Sequence, residues 1–269
     1  MIMSTRATLL LILLSPIGTL AAHNPCSSVC DWQGVYAGLN SGYTWGDADT
    51  ELAVEMGANP YFNNLDIASI QSNGKLSLHP KGYIGGVQVG YNQALTNRLL
   101  LGIETDFNLL PMHDSQSVAA LYPGFTTTGY TLKQTTRTNW LFTLRPRIGY
   151  LTNNIFTYLT GGLAITRVKH EMNYSDDYFT FLGATPGYNA YANVSKARIL
   201  PGWTIGAGTE YLFQEKLSVG LSYLYTRFNS LSSDGPLSVM IAGAEFDNGF
   251  NNSAKLHINA LRLQLNWKV

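Results

Sequence analysis

The chain has few charged residues, only two cysteines and no long hydrophobic run beyond its first residues. A membrane-spanning helix needs about 20 apolar residues, so spanning by helices is excluded. Charged residues make up 13% of the chain and balance to a formal net charge of zero, which gives no case for nucleic-acid binding. Neither a phosphate-binding loop, a dinucleotide fingerprint nor a metal-spaced histidine cluster is present, so no cofactor and no metal site are predicted.

The N-terminus has the pattern of an export signal. An apolar run over residues 7–14 is followed by a small-residue cleavage site that ends at Ala22. We therefore predict a signal peptide over residues 1–22, because the run is too short for a helical anchor. Export to an oxidising compartment favours a disulfide between Cys26 and Cys30, with lipidation of Cys26 as the alternative.

What the chain has in abundance is glycine, tyrosine and segments that alternate apolar with small or polar residues. Such alternation is typical of strands whose one face meets lipid and whose other face lines an interior. Each segment is long enough to cross a membrane at a tilt, which takes about 9–11 residues. Eight strands are predicted, over residues 34–46, 81–94, 98–108, 139–151, 155–168, 197–213, 216–228 and 255–269.

The links between these strands alternate strictly between long and short. The short links are 95–97, 152–154 and 214–215, and the long links are 47–80, 109–138, 169–196 and 229–254. Outer-membrane barrels have tight periplasmic turns at one end and long loops at the other. The sequence therefore predicts an all-β, eight-stranded, antiparallel up-and-down transmembrane β-barrel with four long outer loops. Residues 23–33 form a periplasmic N-terminal segment in this prediction, and residues 34–269 form the barrel domain.

Six charged residues fall on the polar faces of the predicted strands. They are Glu104, Asp106, Arg145, Arg147, Glu210 and Arg262. Three acids and three bases make the predicted interior neutral, and the arginine fork can bind carboxylates bidentately. Because an eight-stranded barrel has an interior just wide enough to be filled by side chains, we interpret the six as a pairing network that fills it. The alternative is a gate or a narrow path for protons or ions.

A second set of charges gathers at the outer ends of the strands. This basic rim consists of Lys81, Arg137, Arg167, Lys169, Lys196, Arg198 and Lys255. Lysine and arginine at that depth can bind the phosphates of an outer-leaflet glycolipid by charge-assisted contacts. The alternative is ordinary solvated charge beside acidic loop residues such as Asp176 and Asp177.

Several strand motifs resemble a family of small outer-membrane β-barrels of Gram-negative bacteria, which includes porin-like surface antigens and haemin-binding proteins. The resemblance rests on Trp32–Tyr43 (WQGVYAGLNSGY), Gly85–Asn92, Leu101–Phe107, Arg145–Tyr150, Thr160–Ala164 and Gly206–Tyr211. It implies an outer-membrane location, contact with membrane lipid, and insertion by the barrel-assembly machinery. One departure concerns that machinery, which recognises a terminal aromatic residue in the family, whereas this chain ends in Val269.

The resemblance and the long polar loops favour a non-enzymatic surface protein that binds host or surface ligands through its loops. Haemin binding by His79, His113 and His170 is one alternative, because tyrosine and histidine can bind its iron. A diffusion pore is a second alternative, although open channels need about 16 strands. A lipid-modifying enzyme using His257 is a third, but the sequence places no nucleophile and acid beside that histidine.

Overall fold

The computed structural model describes residues 29–124, 127–178, 183, 189–239 and 246–269. The predicted signal peptide and Cys26 lie outside these residues. Within them the chain forms one helix, α1 (Asn64–Asn73), and ten strands. The strands are β1 (Gly34–Glu55), β2 (Ser77–Leu78), β3 (Lys81–Ala94), β4 (Leu99–Leu121), β5 (Gly129–Thr152), β6 (Ile155–Asp176), β7 (Tyr191–Gln214), β8 (Leu217–Phe228), β9 (Leu231–Pro236) and β10 (Gly249–Lys268).

The strands form one antiparallel sheet in up-and-down order, as the sequence predicts. The pairing runs β1-β3-β4-β5-β6-β7-β8-β10, and β10 also pairs with β1 from Tyr36↔Lys268 to Glu55↔Gly249. The succession of pairs therefore returns to its first strand as a ring. The two short strands are additions to it, with β2 paired to β1 and β9 paired to β10.

The strands are much longer at one end than predicted, so the prediction of four long loops was wrong over much of their length. Strand β1 continues to Glu55, β4 to Leu121 and β6 to Asp176, while β5 begins at Gly129 and β7 at Tyr191. The alternation continues there with a polar outer face and an inner face that is mainly apolar but also includes Gln134, His170 and Asn252. The predicted strands end where the outward face changes from apolar to polar, because their bounds were set from apolar outward residues.

The predicted short turns at the other end are confirmed. They join β3 to β4, β5 to β6 and β7 to β8. The turn after β5 contains Asn153 at φ 52°, a left-handed conformation that asparagine adopts more readily than most residues.

An exposed apolar band surrounds the ring at the short-turn end. Its members point outward from all eight long strands and include Leu39, Tyr83, Leu101, Ile148, Leu159, Ile205, Leu221 and Leu263. Tyrosine and tryptophan stand toward the borders of the band, as at Trp45, Trp203, Tyr211 and Trp267. This is the outer face that a strand-built membrane domain presents to lipid. On β6, Ile155 and Leu159 point outward, whereas Phe156 and Tyr158 point inward.

Three apolar clusters pack inside the ring at successive depths. The base cluster, near the short turns, contains Val29, Trp32, Leu100, Leu151, Phe156, Tyr158 and Leu212. The middle cluster includes Ile84, Leu110, Met112, Leu141, Leu200, Phe228, Leu256 and Ile258. The outer cluster includes Leu52, Phe62, Ile70, Tyr130, Leu132, Met172, Tyr174, Val194 and Phe250. The interior is therefore packed from the short turns to the far end.

Helix α1 belongs to the outer end. Asn63 caps it by accepting the N–H groups of Leu65 and Asp66, and Asp66 in return accepts the N–H of Asn63. This reciprocal capping box explains why the helix begins there. Ile70 of α1 is fully buried in the outer cluster, and Gly74 after its end accepts a hydrogen bond from Gln134 of β5. In the described part of the chain no helix is long and apolar enough to cross a membrane.

Candidate functional site

The six charged residues predicted for the interior lie inside the ring and contact one another. Arg145 Nη2 lies 2.5 Å from Glu104 Oε1 and 2.6 Å from Asp106 Oδ2. Arg147 Nη1 lies 3.3 Å from Glu104 Oε2 and 2.8 Å from Glu210 Oε1, and Arg262 Nη1 lies 3.1 Å from Asp106 Oδ2. All six side chains are buried, and the pairs form one connected network across β4, β5, β7 and β10. We call these six residues the charge network.

Neutral side chains that sequence reasoning did not single out extend this network, although Arg145 Nε and Nη1 and Arg262 Nε and Nη2 have no hydrogen-bond partner among the described residues. Tyr36 donates its hydroxyl to Glu104 at 2.6 Å, and Asn266 donates to Glu210 at 3.0 Å. Asn108 donates to Asp106 at 2.6 Å, and Asn92 accepts from Arg147 Nε at 3.0 Å. The Arg147 guanidinium also lies over the rings of Tyr36, Tyr158 and Phe156, at 4.5, 5.1 and 5.3 Å from their centroids. A buried charge is tolerable only with such pairing.

Residues 29–33, which precede β1, enter the base of the ring. Trp32 is buried in the base cluster, where its ring lies 5.5 Å from that of Phe156, and its carbonyl accepts a hydrogen bond from Asn92. The space left between this segment and Arg147 is about 20 Å³. Such a space holds about one water molecule.

Residues of the basic rim lie on strands rather than in loops. Arg137, Arg167 and Lys169 point away from the interior just beyond the apolar band. Lys196 is half-buried and lies on the same face of β7 as the buried Ala192 and Val194. Acidic partners lie near four rim residues: Lys169–Glu171 at 2.7 Å, Lys196–Asp234 at 3.6 Å, Lys255–Glu51 at 3.9 Å and Arg137–Glu171 at 4.0 Å. These side chains are largely exposed, so each pair contributes little and leaves the lysine or arginine accessible.

The histidines do not converge on one site. His170 is buried between Thr136, 2.8 Å from its Nδ1, and Asn252, 2.9 Å from its Nε2. Burial lowers the pKa of His170 to about 4, although nearby Glu171 raises it. By contrast, His79 and His257 lie outside the ring. Among the described residues there is no group of three or more side chains that could hold a metal ion.

An aspartate bridges those two outer histidines. Asp47 Oδ1 lies 2.6 Å from His79 Nδ1, and Asp47 Oδ2 lies 2.8 Å from His257 Nε2. Partial burial acts to raise the pKa of Asp47, but the hydrogen bonds and charges of the two histidines outweigh it and lower that pKa. His113 is placed apart from them, opposite Lys81 and Arg137 on the neighbouring strands. Haemin coordination by the predicted His79, His113 and His170 together would need a rearrangement.

A tyrosine cluster at the outer end was missed by sequence reasoning. Asp176 Oδ2 accepts the hydroxyl of Tyr61 at 2.8 Å and that of Tyr122 at 2.9 Å, and Tyr122 also bonds Tyr174. Burial raises the pKa of Asp176, although these hydroxyls and the N–H of Ala190 lower it. Burial and the charge of Asp176 raise the pKa of the Tyr61 phenol. The capping pattern Asn63-x-x-Asp66 was the one signal in the sequence for structure here.

The predicted disulfide involves one described residue. No free cysteine occurs among the described residues, which include Cys30. Since Cys26 lies outside them, the pairing of the two remains a prediction.

Comparison with known proteins gives one family and several relatives. A family model described as Outer membrane protein beta-barrel domain matches residues 7–268. The 31 kDa outer-membrane immunogenic protein of Brucella melitensis biotype 1 is 32% identical over 238 residues, covering 88% of this chain and 83% of the relative. The 22 kDa outer membrane protein of Rhizobium leguminosarum bv. viciae is 24% identical over 239 residues, covering 88% and 82%. Among solved structures, the outer membrane protein OprG of Pseudomonas aeruginosa is similar with a TM-score of 0.39 and 10% identity, covering 88% of this chain and 97% of that chain.

Proposed function

Because the chain belongs to the outer membrane protein beta-barrel domain family and is located in the bacterial outer membrane, we propose that it is a closed, eight-stranded surface protein without catalytic activity. The eight long strands of the ring form the barrel in this proposal. Its short turns face the periplasm, and its strand extensions stand outside the cell. The proposed role of the protein is to present that outer end to ligands or to a host surface.

The observation that carries this proposal is the filling of the interior at every depth. The base cluster with Trp32, the charge network, the middle cluster and the outer cluster with α1 follow one another along the axis. An eight-stranded barrel is narrow enough to be filled in this way, whereas open channels have about 16 strands. A filled interior favours a role at the outer end over a diffusion pore.

The basic rim gives the proposed barrel a second contact with its membrane. Arg167, Lys169 and Arg198 are exposed immediately beyond the apolar band, at the depth where glycolipid phosphates lie. Charge-assisted hydrogen bonds to phosphate fit these side chains. We treat this contact as an adaptation to the lipid. Cleavage after residue 22, the Cys26–Cys30 disulfide and insertion by the barrel-assembly machinery are parts of the same proposal.

Single-channel recording of the refolded protein in a planar bilayer tests the closed interior. We expect silence or rare small openings in the wild type, and larger or more frequent openings in Arg145→Ala, which removes the arginine shared by Glu104 and Asp106. Lys169→Ala is the matched control, since it removes a basic side chain from the outer surface and should leave the record unchanged. Steady large conductance of the wild type would replace the surface role with a pore.

A further inference from the structure

The outer end contains a pocket that the filled interior does not explain. Its volume is about 430 Å³, and its walls are the rings of Tyr61, Phe62, Tyr122, Tyr178 and Phe246 together with the side chain of Asp66. We propose that this pocket binds a small organic cation, a free solute that carries a quaternary ammonium group. The inference deepens the proposed ligand-presenting role and rests on it for the exposure of this end to the outside.

The rings are arranged as walls rather than as a collapsed stack. Tyr61 meets Phe62 at 87°, Phe246 at 85° and Tyr178 at 80°, with ring centroids 5.0, 5.2 and 6.4 Å apart. Tyr61 therefore packs edge-to-face with three neighbouring rings, and the four rings form one contiguous aromatic wall of the pocket. The π face of an aromatic ring attracts a cation, and cages of such rings are suited to quaternary ammonium groups.

Asp66 contributes to the same pocket a carboxylate of which one oxygen has no hydrogen-bond partner in the described chain. Its residue is 7% exposed, and its Oδ1 is buried without a hydrogen-bond partner in the described chain. The other oxygen, Oδ2, accepts the N–H of Asn63 in the capping box. Burial raises the pKa of Asp66, although that N–H lowers it. A bound cation would offset the desolvation of this carboxylate.

Tyr61 and Tyr122 strengthen the preference for positive charge. Both donate their hydroxyls to Asp176, so a second carboxylate lies behind the ring walls. This arrangement puts negative charge on the polar ends of two rings that line the pocket. It favours a cation over a neutral apolar guest, and it disfavours a ligand with carboxylate groups such as haemin.

The residues that line the pocket include no lysine or arginine. The described residues 46–74, 114–124, 127–132, 170–178, 189–195, 228–239 and 246–254 contain no lysine or arginine, and Lys75, Lys133, Lys196 and Lys255 directly follow four of these ranges. They contain many acids, among them Glu55, Asp66, Asp176, Asp177 and Asp247. The lysines and arginines of the protein lie outside these ranges, among them those of the rim and of the charge network. A metal ion is a poor alternative, because hard cations need several oxygen ligands and the pocket is mostly aromatic.

The test is calorimetric titration of the full-length refolded protein in octyl glucoside micelles with choline chloride. The neutral isostere 3,3-dimethyl-1-butanol and anionic phosphocholine are titrated in parallel. We expect saturable binding of choline, with both comparison compounds weaker by about tenfold, the size of one lost cation–π or charge contact. Equal binding of the neutral isostere, or tighter binding of phosphocholine, would overturn the proposal.

Two variants locate the site. Asp66→Asn keeps an oxygen for the helix cap but removes the charge, and it should weaken choline binding about tenfold relative to the wild type. Glu51→Gln removes a charge from the outer face of β1 and should leave the binding constant unchanged. Equal loss in both variants, or no loss in Asp66→Asn with native folding checked by circular dichroism, would place binding elsewhere. Conductance recording does not depend on this pocket, so failure here leaves the closed-barrel proposal to its own test.

Discussion

The same strands follow opposite rules in their two halves. Within the apolar band, β6 points Ile155, Leu159 and Leu163 outward, while the interior at that depth holds the charge network. Beyond the band, the strand points Lys169 and Asn173 outward, and its inward residues Met172 and Tyr174 join an apolar cluster. The membrane half is apolar outside and holds the charge network between apolar clusters inside, whereas the outer half is polar outside and mainly apolar inside.

The surrounding solvent, rather than the secondary structure, therefore determines which side chains of the strands point outward and which point inward. Contact with lipid favours an apolar outer face, so the polar residues point inward and must pair with one another there. Water permits a polar outer face, so the outer half buries its apolar side chains as a soluble sheet does. Pairing of interior charges is confined to the membrane half, while hydrophobic burial inside the ring contributes to both halves.

The largest contrast concerns the interior charges. Arg145→Ala leaves Glu104 and Asp106 buried without their shared partner, which should cost about 3–5 kcal/mol of unfolding free energy. Lys169→Ala removes the partner of Glu171 in the exposed outer pair and should cost less than about 1 kcal/mol. Urea unfolding in lipid vesicles measures both values. Similar small losses would mean that the charge network does not stabilise the membrane half.

The second-largest difference in stability between the two halves should come from an arginine placed on the outer face of β6. Leu159→Arg puts a guanidinium into the apolar band and should cost about 2–4 kcal/mol. Ser175→Arg makes a comparable change on the outward face of the same strand beyond the band, where it should change stability by less than about 0.5 kcal/mol. The same unfolding assay compares them. An equal cost at the two positions would contradict the change of environment along β6.

Acid should weaken the outer half through His170. The folded protein holds this imidazole neutral with its pKa lowered to about 4, whereas the unfolded chain takes up the proton near pH 6.5. The stability it contributes is therefore complete above pH 6.5 and is lost as pH falls from there toward 4, by about 2 kcal/mol at pH 4.5. His170→Gln keeps polar contacts to Thr136 and Asn252 without titrating, so its stability should fall less between pH 7 and 4.5. Parallel pH curves for both proteins would refute this assignment.

The smallest contrast is between two leucines. Leu132 is fully buried in the outer cluster, so Leu132→Ala should lose the transfer free energy and leave a cavity, at about 3 kcal/mol. Leu159→Ala should lose only the transfer part, about 1–2 kcal/mol, because a lipid chain fills the gap. A larger loss at Leu159 would indicate that the outer cluster is loosely packed.

Strand alternation was sufficient to predict the membrane half. The outward leucines of β4, β8 and β10 and the turns after β3, β5 and β7 follow from the sequence because each is a local pattern. Strand phase likewise put the six charged residues on inward faces, while their distances required the structure. Such patterns depend only on residues that are near one another in the sequence.

The outer half could not be predicted in the same way. The inward residues Leu132, Gln134 and Thr136 alternate with polar ones, and only the antiparallel partner shows that this is a wall rather than a loop. The contact of Tyr61 with Asp176 spans 115 residues of sequence, and that of Trp32 with Phe156 joins the residues before β1 to β6. No local signal specifies such contacts.

The measurement that tests the two-half account most directly is spin-label accessibility at outward positions of β6. Nitroxides are attached to Leu159→Cys and Asn173→Cys, each in a chain whose native cysteines are replaced by serine, in lipid vesicles. The account predicts relaxation by oxygen at position 159, relaxation by a water-soluble nickel complex at position 173, and restricted motion at both because both lie on the strand. A freely mobile label at position 173, as on a flexible loop, or oxygen-dominated relaxation at both positions would contradict it.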